Sequence, residues 1–156
     1  MTDRPTDTPG VMACPPLLFL GALGLGLFLH WLMPVQLFPF IFSRPLGAAL
    51  FIGALAVGVW GSRTMRRAGT NVRPDRPVIV LVTSGPFRFS RNPLYLSLTA
   101  FYLGITLLFD ALWPLVTLVP TLVVVHWGIV LREERFLDAK FGDGYRTYKT
   151  RVRRWL

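Results

Sequence analysis

Residues 83–95, TSGPFRFSRNPLY, combine cationic, aromatic and helix-starting residues directly before a long apolar run. Asn92 is a residue type preferred at a helix N-cap and Pro93 is preferred at the first helical position, so the segment predicts a helix start. The free amide groups at such a start carry partial positive charge, and Arg88 and Arg91 lie beside them in the sequence. The segment therefore predicts a site for an anion such as a carboxylate or a phosphate.

An acidic pair, Glu133 and Glu134, ends a later apolar run, and His126 precedes the pair on nearly the same side of the predicted helix. Two explanations of the pair are equally open. The carboxylates form ion pairs with Arg91 or Arg132, or they bind an ammonium group or ribose hydroxyls at the membrane boundary. An ionisable group within a span is a functional hypothesis, although a hydrogen bond between helices also explains His126.

Other familiar catalytic patterns are missing from the sequence. The single cysteine, Cys14, excludes an internal disulfide and gives no thiol metal site. No cluster of histidine and cysteine has metal-ligand spacing, and no serine, histidine and acid share one face. We therefore expect neither a metal site nor a catalytic triad.

The elements that position these residues are predicted to be membrane helices. Of the 156 residues, 53% are hydrophobic and 16% are charged, a balance typical of an integral membrane protein. Four apolar runs, at about 16–33, 45–62, 92–109 and 111–131, approach the roughly 20 residues that cross a hydrocarbon core. The predicted fold is an all-α membrane bundle of about four spans. We divide this single domain into an N-terminal tail (1–14), two spans (15–62), a loop on the cofactor side (63–91), a helical hairpin (92–131) and C-terminal helices (132–156).

Two further apolar features add no span. VIVLVT, residues 78–83, is too short to cross a bilayer and predicts an ordered loop. Gly21, Gly24 and Gly26 lie inside the first span with no preceding strand, so we interpret them as sites of close helix packing and not as a nucleotide-binding fingerprint.

Basic residues are concentrated in two segments. Fifteen of the 17 lie in 63–91 and 132–156, which four spans place on one membrane side. The excess of arginine and lysine predicts that this side is cytoplasmic, together with both termini. Charge beside a membrane favours anionic lipid headgroups as the partner, and nucleic acid is not expected.

The last helix is predicted to be amphipathic. After the Gly-Asp-Gly break at 142–144, Tyr145, Tyr148, Val152 and Trp155 share one face and basic residues occupy the rest. Such a helix lies in the membrane interface, where it serves as a lipid anchor.

Two stretches, LVTSGPFRFSRNPLY and REERFLDAKFGDGYRTYKTRVRRWL, flank the apolar hairpin in an order that resembles the isoprenylcysteine carboxyl methyltransferase and phospholipid methyltransferase superfamily. The resemblance covers about residues 63–156, and AGTNVRP upstream is similar to bacterial members. It implies a helical enzyme of the bacterial inner membrane that binds S-adenosylmethionine at the last two spans. The implied acceptor is lipophilic, resembling an isoprenylcysteine carboxylate or a phospholipid headgroup.

The resemblance also implies roles for residues, which we state as expectations. The expected cofactor-binding residues are Leu81, Val82, Phe87, Asn92, Pro93, Leu94, Tyr95 and Glu133. We add His126 to this set because of its position on span four. Arg91 and Glu134 are expected catalytic residues near the acceptor, and Arg132 an expected substrate contact. Asn92 stands where eukaryotic members have histidine; an amide is not a base but still hydrogen-bonds a carboxylate or ribose.

Two other functions compete with methyl transfer. Membrane sterol and steroid reductases carry a similar R-[HN]-P-x-Y turn, and an arginine-rich loop suits the phosphates of NADPH, although those enzymes have more spans. A non-enzymatic protein that binds anionic lipid is the third interpretation. It predicts that Glu133 and Asn92 are dispensable.

Overall fold

The computed structural model describes residues 14–37, 40–72 and 78–156, and the regular structure of these residues is entirely helical. A 3-10 turn, Gly85–Arg88, precedes α3, and a π-helical turn, His126–Val130, joins α4 to α5. The helices are α1 (Pro15–Leu32), α2 (Phe40–Arg67), α3 (Pro93–Leu108), α4 (Leu112–Val125), α5 (Leu131–Phe141) and α6 (Asp143–Arg151). The predicted all-α class is confirmed.

Three helical stretches are long and apolar enough to cross a membrane, namely Pro15–Leu32, Phe42–Arg67 and the continuous Leu112–Phe141. The fourth apolar helix, α3, is shorter, with 16 residues. This arrangement agrees broadly with the four predicted spans. α2 continues past Ser62 to Arg67 and so carries the first loop arginines on a helix. The predicted tail up to residue 13, and Arg73 and Arg76, lie outside the described residues.

α2 and α3 form the closest helix pair, and glycine makes the approach possible. A Cβ added at Gly104 would lie 2.8 Å from the backbone nitrogen of Phe51. A Cβ added at Gly47 would lie 2.9 Å from the carbonyl oxygen of Gly104. Since real Cβ atoms do not come so close to backbone, the two helices pack through bare backbone at this point.

α1 packs against α4 through one glycine of the three singled out in the sequence. A Cβ added at Gly26 would lie 2.6 Å from the Cα of Pro114, whereas Gly21 and Gly24 face open space. The prediction of close packing is therefore wrong for Gly21 and Gly24. These two glycines lie on the outward side of α1, and sequence spacing alone did not distinguish the two sides.

The apolar core in the middle of the bundle contains a hydrogen-bonded hydroxyl. Phe19 and Leu23 of α1 pack with Tyr102 of α3 and Leu118 of α4. The Tyr102 hydroxyl lies 3.0 Å from the Pro114 carbonyl oxygen and 2.7 Å from Thr117 Oγ1. A hydroxyl buried among apolar helices needs such partners, so this contact links α3 to α4.

The end of the bundle at the α3–α4 corner is closed by hydrogen bonds to the segment after α1. The Leu37 amide donates to Asp110 Oδ1 at 3.1 Å, and the Trp113 indole donates to the Met33 carbonyl at 2.7 Å. Asp110 itself has a φ of 49°, a left-handed conformation that aspartate tolerates. The tight hairpin predicted at Asp110 is thus present, with the chain after α1 attached to it.

Candidate functional site

A cavity of about 370 Å³ lies at the end of the bundle that carries Arg91. Its walls come from the beginnings of α1 and α3, one side of α2, the loop before α3, and the helices α5 and α6. Most of the lining is apolar, and a few polar side chains converge on it. This size and this composition are typical of a site for a small molecule.

Most of the residues predicted from the sequence meet in this cavity. The predicted residues that line it are Leu81, Val82, Phe87, Arg91, Asn92, Pro93, Leu94, Tyr95, Glu133 and Glu134. His126 and Arg132 are not among the lining residues. The His126 ring packs instead against Trp127 and Trp155, with centroids 4.9 and 5.9 Å away. The structure therefore offers no support for a ligand contact by His126 or Arg132.

The loop before α3 places apolar side chains in the cavity wall. Residues 78–83 run without helix or strand, and the Ile79 amide donates to Thr70 Oγ1 at 3.1 Å. The 3-10 turn then begins at Gly85, whose φ of 60° favours glycine and whose added Cβ would lie 2.6 Å from Thr64 Oγ1. The turn buries Phe87 in the cavity wall.

The start of α3 lies where the sequence predicted it, but Asn92 does not cap the helix with its side chain. Asn92 occupies the N-cap position and Pro93 the first helical position. The Asn92 side-chain amide donates to the carbonyl oxygen of Arg154 at 3.1 Å, and its backbone amide donates to Ser90 Oγ at 3.1 Å. The Asn92 side chain thus holds the C-terminal segment against the start of α3.

Glu133 accepts a hydrogen bond from the Tyr95 hydroxyl at 2.8 Å, and both residues line the cavity. Among the described residues, no cationic side chain forms an ion pair with Glu133. A carboxylate held in such a wall has lone pairs left for a ligand's ammonium or hydroxyl group.

Glu134 has two cationic partners. Its carboxylate lies 3.1 Å from Arg91 Nη1 and accepts two hydrogen bonds from Arg154, at 3.0 and 2.8 Å. Arg91 and Glu134 side chains are each only 12% exposed. The ion pair with Arg91 was one of the sequence alternatives, but the second partner is Arg154 and not Arg132.

Arg91 keeps an unused donor at this site. Its Nε is buried without a hydrogen-bond partner, while its Nη1 meets Glu134. An unpaired buried donor beside a cavity favours a ligand that carries an anionic acceptor. Arg88, the other predicted member of the anion site, is exposed and does not line the cavity.

α6 covers the cavity with its aromatic face. Tyr145 and Tyr148 are 1% and 8% exposed and line the cavity, and the Tyr148 hydroxyl donates to the Phe87 carbonyl at 2.6 Å. Burial raises the pKa of Tyr145 to about 12, so its hydroxyl is protonated at neutral pH. Tyr145 and Tyr148 of the predicted face thus pack on protein and not in lipid, whereas Val152 and Trp155 follow the end of α6 at Arg151.

Residues 152–155, which we name the C-terminal strap, leave the helix at Arg151 and cross the start of α3. The Arg91 amide donates to the Arg153 carbonyl at 3.0 Å, and the Ser90 hydroxyl donates to the Arg154 carbonyl at 3.2 Å. The sequence pattern did not predict Arg154, Tyr145 or Tyr148 as residues of the site. Their common helix face was visible in the sequence, but the surface that it covers was not.

A second, apolar groove of about 540 Å³ adjoins the cavity. It lies between α1 and α2 with α3 as its floor, because α1 and α2 barely contact each other in the described part of the chain. Gly58, Ser62, Ser97 and Leu98 line both spaces, so the groove and the cavity lie side by side along α2 and α3. Arg63 and Arg66 border the groove.

In the described part of the chain, the helices form a bundle in which three are long and apolar enough to cross a membrane, and a cavity lies beside an apolar groove. These features are those of a membrane protein with a candidate small-molecule site. The model of the phospholipid methyltransferase family matches residues 42–144, and the chain belongs to this family of membrane methyltransferases. The match runs from α2 into α6 and so includes most of the cavity wall.

One curated relative is an uncharacterized protein of Haemophilus influenzae. It is 40% identical to this chain over 63 residues, which are 40% of this chain and the whole of that protein. No solved structure matches the chain.

Proposed function

We propose that the protein transfers a methyl group from S-adenosylmethionine to a lipophilic acceptor within the membrane. The family supports methyl transfer, and the cofactor and acceptor are inferred from the site. One observation carries the proposal: Arg91, Glu133 and the start of α3 share a cavity that adjoins an apolar groove.

The groups that line the cavity support S-adenosylmethionine as the cofactor. The unused Arg91 Nε and the positive end of α3 suit the methionine carboxylate. Glu133 suits the ammonium group or the ribose hydroxyls, and the apolar loop with Leu81, Val82 and Phe87 suits the flat adenine ring. The volume of about 370 Å³ falls within the range of small-molecule sites.

The proposed catalytic contribution of the chain is alignment. The cofactor supplies a methyl group that is already activated on its sulfonium, so the protein residues have mainly to bind, orient and exclude water. Arg91 and Glu134 are the residues that we propose nearest to the reacting groups. Tyr145 and Tyr148 close the cavity from the α6 side and limit the access of water.

The groove supports a lipophilic acceptor. Its walls, such as Leu20, Leu55 and Phe101, are apolar, and the adjoining cavity carries charged side chains. A molecule with a long apolar chain and a polar end suits two such neighbouring spaces. An isoprenylcysteine-like carboxylate and a phospholipid headgroup both meet this description. A carboxylate attacks as an anion, whereas an amine has to be kept neutral, and this difference separates the two acceptors.

Calorimetric titration of the purified protein in detergent tests the proposal. We expect S-adenosylhomocysteine to bind at about micromolar concentration and NADPH not to bind. Glu133→Ala and Arg91→Ala are each expected to weaken the binding of S-adenosylhomocysteine at least about tenfold, or about 1.4 kcal/mol.

Arg135→Ala is the matched control, because Arg135 is exposed, donates to the Leu131 carbonyl of its own helix and does not line the cavity. Its affinity should equal that of the unmodified protein. Binding of NADPH alone would favour the reductase, and binding of neither ligand would leave a lipid-binding protein.

A further inference from the structure

We infer that Arg154 is a positioning residue that keeps Arg91 electrostatically available to the carboxylate of the cofactor. This inference rests on the proposed function. Arg154 does not line the cavity, and it acts through Glu134, the residue that the two arginines share.

Of the two arginines, Arg154 makes more hydrogen bonds to the Glu134 carboxylate. Arg154 donates from Nε to Oε1 at 3.0 Å and from Nη2 to Oε2 at 2.8 Å, a two-bond arrangement that uses both oxygens. Arg91 reaches the same carboxylate through one nitrogen, Nη1, at 3.1 Å from Oε1. Arg91 is therefore the more weakly engaged of the two guanidinium groups.

The charge balance follows from this sharing. Two guanidinium groups and one carboxylate leave a net positive charge. Arg91 and Glu134 both line the cavity, and Arg91 is the cationic member of the cluster that does so. Without Arg154, the Glu134 carboxylate would compensate Arg91 alone, and both of its oxygens would be available to that side chain. Because Glu134 and Arg91 are each only 12% exposed, water screens their interaction weakly.

The strap fixes the position of Arg154. The Arg153 carbonyl accepts from the Arg91 amide, and the Arg154 carbonyl accepts from Ser90 and Asn92. At the far end, Trp155 packs against the His126 ring. The backbone on either side of the Arg154 side chain is therefore held against the start of α3, which orients its guanidinium toward Glu134.

The inference predicts an effect that depends on the ligand's carboxylate. The titration compares S-adenosylhomocysteine with decarboxylated S-adenosylhomocysteine, which lacks only that group. Arg154→Gln is expected to weaken the first about tenfold and to change the second less than about twofold. Arg154→Lys restores the charge and is expected to recover part of the loss.

Glu134→Gln supplies an independent variant, because it removes the negative charge and keeps the strap sequence. It is expected to strengthen the binding of S-adenosylhomocysteine relative to the decarboxylated analogue. Adding Arg154→Gln to Glu134→Gln should then cause less than about a twofold further change, since no carboxylate is left to be shared.

Arg151→Gln is the matched control, because Arg151 is exposed at the end of α6 and should affect neither ligand. Thermal unfolding in the same detergent identifies variants that fail to fold. An equal loss for both ligands in Arg154→Gln, or an undiminished effect of Arg154→Gln in the Glu134→Gln background, overturns the inference alone. If the unmodified protein binds neither ligand, the proposed function fails and the inference fails with it.

Discussion

Two tyrosines of α3 show how one residue type serves two purposes in this bundle. Tyr95 donates to Glu133 at the cavity, whereas Tyr102, 1% exposed, bonds with Pro114 and Thr117 in the core. Both hydroxyls satisfy buried polar partners. Only the Tyr95 hydroxyl touches a group that we propose to meet a ligand.

The two tyrosines make a matched pair of substitutions. Tyr95→Phe leaves Glu133 without its donor and is expected to weaken the binding of S-adenosylhomocysteine about tenfold, or about 1.4 kcal/mol. Tyr102→Phe is expected to lower the melting temperature and to leave the affinity unchanged, because its partners lie outside the cavity. Calorimetry and thermal unfolding of both variants check this expectation, and an equal affinity loss in the two would contradict it.

At the scale of elements, the contact of α2 with α3 sets the shape of the site. α3 supplies the cavity with its start and the groove with its floor, while α2 forms one wall of each. The two helices approach each other at Gly47 and Gly104, and their small separation is possible because glycine has no side chain. A wider separation would alter the cavity and the groove together.

Gly104→Ala is expected to destabilise the protein by about 1–3 kcal/mol, because the new methyl group would overlap the Phe51 backbone. Gly24→Ala serves as the control. The same change there meets open space and improves helix propensity, so stability should stay the same or rise slightly. Thermal unfolding in detergent measures both, and a fully stable Gly104→Ala would refute the proposed close approach.

At the scale of the whole molecule, the distribution of basic residues predicts how the protein is oriented in the membrane. Fifteen of the 17 basic residues lie in 63–91 and 132–156. From the positive-inside rule we propose that the site and both termini lie on the cytoplasmic side. The proposal needs α3 to count as a span despite its 16 residues. Anionic headgroups are the proposed neighbours of this end.

Reporter fusions in bacteria test the orientation. Green fluorescent protein fused after Leu156 should fluoresce, and alkaline phosphatase fused there should be inactive. Fusions to a chain truncated after Gln36, in the segment that follows α1, should give the reverse pattern. Active phosphatase at Leu156 would place the C-terminus outside the cytoplasm and contradict the proposed orientation.

The sequence alone was sufficient for the class of protein, and it predicted most of the residues that line the cavity. The length and apolarity of its runs gave the helices, since every backbone polar group in a membrane must be bonded within its own helix. Asn92 and Pro93 located the start of α3, and Asp110 located the hairpin. These are local properties, which depend on neighbouring residues and on the solvent rather than on distant contacts.

Only the tertiary structure decided which surfaces meet. The aromatic face of Tyr145 and Tyr148 is equally compatible with a lipid anchor and with a cavity wall. An amphipathic pattern predicts an apolar face but not the surface that packs against it. The pairing of Arg154 with Glu134 depends on the turn at Gly142 and on the path of the strap, which bring together residues far apart in the chain. Partner choice among many like charges is set by distance in space, and distance in space is fixed only when the helices have packed.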